Sequence, residues 1–110
     1  MIEKIVLDYL NNTLSVPAYM EVPVNPPNRY VLLEKTGSSS ENLINSATIA
    51  VQSYAESLYS AAVLNEEVKT AMDNIISLND VMRSELNSDY NFTDTTKKKY
   101  RYQAIYDLFY

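Results

Sequence analysis

The sequence predicts an α+β fold: a mostly antiparallel sheet of four to five strands, with a short N-terminal helix and one long helix packed on one face. Three observations lead there. First, Tyr100 to Tyr110 alternates with period two, placing Tyr100, Tyr102, Ala104, Tyr106, Leu108 and Tyr110 on one face and Arg101, Gln103, Ile105, Asp107 and Phe109 on the other. Strict alternation with aromatic and β-branched enrichment marks a strand with one buried face. Second, the period changes to three and four residues between Ala55 and Ser77, where Leu58, Ala61, Ala62, Val68, Ala71, Met72, Ile75 and Ile76 recur. Third, the strand patterns come in blocks joined by turn signals, the arrangement of an antiparallel sheet with segregated helices.

The elements follow in order. Residues Met1 to Asn11 place Ile2, Ile5, Val6, Tyr9 and Leu10 on one helical face, with Lys4 and Asp8 as an i,i+4 pair and Asn11-Asn12 as the stop. Pro17, Pro23, Pro26 and Pro27 then restrict Ala18 to Val22 to a short edge strand, because proline cannot donate to a ladder. Tyr30 to Thr36 reads as a strand whose Val-Leu-Leu centre implies coverage on both faces. Gly37 to Asn42, holding the sole glycine, is expected to form a mobile hairpin loop; Ser38-x-x-Glu41 as a capping box is the alternative. Asn45 to Tyr54 alternates as the next strand. The helix over residues 55–77 would be about 34 Å long, with Asn65-Glu66-Glu67 as a candidate break. Val81 to Tyr90 is a strand with a bulge or turn at Asn87-Ser88-Asp89. Asn91 to Thr96 is a loop of residues that bond their own backbone.

Composition narrows the function classes. A chain of 110 residues with 46% hydrophobic and 21% charged residues is one globular domain with a genuine core. It contains no cysteine and no histidine, so disulfides, thiolate chemistry and most zinc or copper sites are not expected. Neither is the commonest general base near neutral pH. No catalytic residue, cofactor or metal ligand is therefore nominated, and no enzyme is expected. A net charge of −5 argues against phosphate-held nucleic acid. The run Lys97-Lys98-Lys99 with Arg101 reads as a solvated or edge-protecting cluster. No segment is apolar enough to span a membrane, and the first residues lack a signal peptide's apolar stretch, so intracellular synthesis is expected. The ten tyrosines, four of them in the last strand, suit an interface.

Three blocks carry a resemblance. Tyr30-Val31-Leu32-Leu33-Glu34-Lys35-Thr36-Gly37 is a strand and turn. Ile49-Ala50-Val51-Gln52-Ser53-Tyr54-Ala55-Glu56-Ser57 is a strand feeding a helix. Asn91-Phe92-Thr93-Asp94 followed by Arg101-Tyr102-Gln103 precedes the last strand. In order and spacing, over roughly residues 17–108, they resemble the tail terminator (tail completion) proteins of long-tailed bacteriophages and prophages. The family pattern often has a second glycine after Thr-Gly, where Ser38 stands here.

The resemblance implies a viral structural protein without catalysis. It would form a homo-hexameric ring on the head-proximal end of the tail tube, stop polymerisation, and offer a docking face to the head connector or stopper. DNA would pass through the hole without specific binding. The protein would be made in the host cytoplasm and end in the virion neck. The candidate contact loops are Thr36 to Asn42, including Gly37, Ser38, Ser39, Ser40 and Glu41, and Asn91 to Lys99 with Arg101, including Asp94, Lys97, Lys98 and Lys99. The long helix's exposed side or the edge near Ala18 to Val22 is the expected subunit contact. A head-side stopper or adaptor of the same neck, an unrelated protein-interaction module and a small ligand-binding domain are the competing readings.

Overall fold

The computed structural model describes residues 1–110. Helix α1 (Ile2–Thr13) is followed by β1 (Ala18–Tyr19), β2 (Tyr30–Glu41), β3 (Ile44–Ala55), α2 (Leu58–Asp73), a 3₁₀ turn (Ile75–Ser77), β4 (Arg83–Asn91) and β5 (Tyr100–Phe109). The five strands form one sheet in the order β1-β2-β3-β5-β4. All neighbours are antiparallel except β1, which runs parallel to β2 through Ala18–Val31 and Tyr19–Leu32. The predicted α+β class holds.

Both helices cover one face. Alternation sends Val31 and Leu33 of β2, Ala47, Ile49 and Val51 of β3, and Ala104, Tyr106 and Leu108 of β5 to that side. They meet Ile2, Val6 and Leu10 of α1 and Leu64, Val68, Ala71 and Met72 of α2, all buried. Each fully buried aliphatic side chain here contributes about 1.5–3 kcal/mol. Tyr106 is the largest side chain fully buried in the core, and its hydroxyl reaches Asp73 Oδ1 at 3.1 Å and Lys69 O at 3.2 Å. Burial, then that bond to the Asp73 carboxylate, raises its pKa above the ordinary tyrosine value.

Four expectations are corrected. Asn11 does not stop α1. Its amide donates to Ala18 O at 3.1 Å and accepts from Ala18 N at 2.9 Å, so it substitutes for a neighbouring strand at the sheet edge while the helix continues to Thr13. The long helix is shorter than its periodicity suggests, roughly 24 Å. At its start β3 keeps pairing through Ala55 with Tyr100, and Ser57 then caps it, accepting from Ser60 N at 3.1 Å. At its end Asn74 stops it, its side chain bonding Thr70 O, and Ile75 and Ile76 fall in the 3₁₀ turn. No break occurs at Asn65-Glu66-Glu67, since Asn65 is buried in the middle of α2. Val81 is buried but precedes β4 rather than belonging to it. The bulge foreseen near Asn87 is present, with Asn87 as the extra residue between Leu86 and Ser88.

The fourth correction matters most. Gly37 to Glu41 is not a loop. β2 stays paired with β3 from Tyr30–Tyr54 out to Glu41–Ile44, and the reversal takes only Asn42 and Leu43, with φ of 52° and 66°. Two left-handed residues between antiparallel strands make the tight hairpin whose twist matches the strands. Gly37 sits in ladder, with open space where a Cβ would lie. The low-complexity serines thus form an arm that projects beyond the core and helps stretch the molecule to 44 × 24 × 24 Å.

Candidate interaction surface

The sheet face opposite the helices is built by the other alternation set, and polar and aromatic side chains fill it. Tyr30 of β2 and Tyr54 of β3 stack with centroids 4.7 Å apart and planes 4° from parallel, and Tyr19 meets Tyr30 edge-on at 6.1 Å. Burial raises the Tyr30 pKa, aided by Tyr54 and opposed by Arg101. From this stack a directed chain of hydrogen bonds crosses the sheet. Arg101 Nη1 donates to the Tyr54 hydroxyl at 2.8 Å, which donates to Gln52 Oε1 at 3.0 Å. Gln52 Nε2 donates to Gln103 Oε1 at 2.7 Å, and Gln103 Nε2 to the Tyr90 hydroxyl at 2.5 Å. Each member is both satisfied and polarised by its neighbour, which stiffens this half of the face.

Arg101 belongs to this platform. Its guanidinium lies 4.4 Å from the Phe92 ring centroid and 5.6 Å from that of Tyr54, and Nε donates to Phe92 O at 2.7 Å. Arg101, one of the contact candidates from the sequence, is thus held in place within the subunit by these contacts and is half-buried. At the same end of the sheet, Arg29 pairs with Glu56 and holds the Glu56 carboxyl down at about 2.

The two predicted contact segments lie apart. Asp94, Lys97, Lys98 and Lys99 lie in the connection between β4 and β5, at the end of the sheet where Tyr100 pairs with Ala55. Asp94 and Lys99 exchange backbone bonds of 3.1 Å, the Asp94 carboxylate accepts from the amides of Thr96 and Lys97, and Lys98 takes φ 52°. This tight turn leaves all three lysines exposed. The arm tip lies at the opposite end of β3, about 36 Å away along the strand. Gly37, Ser39 and Glu41 share the open face, whereas Ser38 and Ser40 face the helix side. At the arm's base, Ser39, Glu41, Ile44, Arg83 and Phe109 line an open groove of about 390 Å³, with Arg83 over the Phe109 ring at 5.2 Å. A more apolar groove, about 430 Å³, runs between Leu7 of α1 and Tyr19 to Val24.

Leu43 was not among the sequence candidates. Its side chain is 99% exposed at the arm tip and Ile44 beside it 46%. A leucine at positive φ is sterically disfavoured, so a residue that pays this cost without burying anything is a candidate contact. The sequence contained the signal, an Asn followed by a non-glycine between alternating strands, but not the pairing that makes Asn42-Leu43 the turn.

No group of three or more acidic side chains converges to hold a metal ion, and no helix is long and apolar enough to cross a membrane. No protein-family model matches the chain, and no curated protein matches it.

Proposed function

We propose that this chain is a structural subunit of a phage tail, a tail terminator that assembles as a ring, ends tube growth and offers its far side to the head connector. The observation that carries the reading is the placement of its two exposed contact segments at opposite ends of the sheet. A ring between tube and connector needs two different axial faces on each subunit. The arm with Leu43 supplies one, and the lysine turn over Asp94–Lys99 supplies the other. The three blocks that carry the resemblance, distant in sequence, also meet on one surface through Tyr30, Tyr54, Phe92 and Arg101. A net charge of −5 suits a channel that DNA slides through, because it does not hold phosphates.

The test is capture on tail tubes of the encoding phage or prophage, followed by light scattering and electron microscopy. Binding at one tube end only, with a ring mass and arrest of further growth, is expected. A protein that ignores tubes but binds the head connector would move the assignment to the head side of the neck. Binding to neither would end the tail reading.

A further inference from the structure

We infer that copies of this chain join edge to edge, the outer edge of β2 in one subunit pairing antiparallel with the outer edge of β4 in the next. This rests on the ring-forming reading above and names its contact.

Beyond β1 both edges are free: β1 pairs with β2 at Val31 and Leu32, which engages the outward groups of Val31 and the N–H of Leu33, and no strand pairs outside β4. In an antiparallel ladder, alternate residues turn N–H and C=O to one side and then the other. Val31 N bonds Pro17 O on the outer side, so Leu33 and Lys35 also face outward. Thr36 is an extra residue in the ladder. Beyond it the phase resets, because Asn45 bonds Tyr110 and thereby leaves Ile44, Ser46 and Thr48 to bond the arm. Their partners Glu41, Ser39 and Gly37 face inward, and Ser38 and Ser40 face outward.

On β4, Phe92 N bonds Arg101 O, so Asn91 and Asp89 face outward. Across the extra residue Asn87, Glu85 and Arg83 oppose Asp107 and Phe109, which bond toward β4, leaving Leu86 and Ser84 outward. The free outward residues are 35, 38 and 40 on one edge and 84, 86, 89 and 91 on the other, so 35-38-40 and 89-86-84 share the steps of three and two.

One antiparallel register therefore pairs these free groups through about six backbone hydrogen bonds: Lys35 with Asp89, Ser38 with Leu86, and Ser40 with Ser84. The two extra residues, Thr36 and Asn87, fall within the same step of three, Thr36 opposite Ser88 and Asn87 opposite Gly37, so their offsets cancel. The side chains agree with this register. Lys35 meets Asp89 on the helix side, joining the pairs Glu3–Lys35 and Lys69–Asp89 into one row of alternating charge. Glu41 meets Arg83 on the open face. The strand directions also fit, since β2 and β4 already run oppositely within a subunit, so a simple rotation sets them antiparallel between neighbours.

The native chain lacks cysteine, so a Ser39→Cys/Glu85→Cys variant reports the register directly. These residues would face each other at a non-hydrogen-bonded position, where side chains come closest. Mild oxidation, at high concentration and on tail tubes, should give covalent multimers. A Ser39→Cys/Arg83→Cys pair, displaced along the strand, should react roughly tenfold less. Glu41→Arg should weaken each contact by roughly fivefold and Glu41→Arg/Arg83→Glu should restore it. Rings on tube ends without the 39–85 bond would overturn the edge pairing and leave the capping reading standing. Bonded multimers that ignore tubes would support the pairing and end the capping reading, and absence of both would overturn both.

Discussion

Replacing Leu43 by glycine isolates the arm tip. Leu43 holds φ 66° with its side chain 99% exposed, so folding gains no burial from it. The left-handed conformation costs a non-glycine residue about 1–2 kcal/mol, while glycine adds roughly 0.5–1 kcal/mol of chain entropy to be lost on folding. The difference predicts that Leu43→Gly stabilises the chain by about 0.5–1 kcal/mol, completing the Asn-Gly sequence that this turn favours. In a domain of this size that raises the thermal midpoint by about 3–5 °C. Paired urea and thermal melts of both proteins measure it, with the m-value held constant. Capture on tail tubes should fall in the same variant, because the tip side chain is gone. A midpoint unchanged or lowered would refute the strain argument, and tighter or equal capture would refute the tip's role as a contact.

Three further outcomes follow from the structure. Asn11→Ala removes both bonds that tie Ala18 to α1 and should cost about 1–2 kcal/mol, with faster amide exchange confined to β1 and its flanks. Tyr106→Phe, leaving Asp73 Oδ1 and Lys69 O without the buried hydroxyl, should cost about 1–2 kcal/mol without moving the backbone; a neutral result by denaturant titration would show that water replaces it. The Glu56 carboxyl is held at about 2 by Arg29 against an ordinary 4.5. Because its folded pKa is lowered, its contribution is complete above pH 4.5 and is lost as pH falls toward about 2. Glu56→Gln should flatten that part of the acid limb, and salt should shrink the difference because the pair is exposed.

What the sequence by itself determined is the set of elements and the side each residue shows the core. Period two placed Ala104, Tyr106 and Leu108 together, and the three- and four-residue steps placed Val68, Ala71 and Met72 together. These patterns are legible because side-chain direction repeats along a single segment and needs no knowledge of its neighbour. What only the tertiary structure decided depends on pairing between distant segments. Serines and a glycine suit a flexible loop or an exposed ladder equally; Gly37 to Glu41 became strand because Ile44 to Thr48 lies alongside. Asn11 reads as a helix stop until Ala18 supplies the backbone groups that it bonds. Arg101 reads as part of a basic run until Phe92 and Tyr54 enclose it. The matched spacing of the two free edges arises from the extra residues Thr36 and Asn87, and a residue is extra only relative to the strand it fails to pair with.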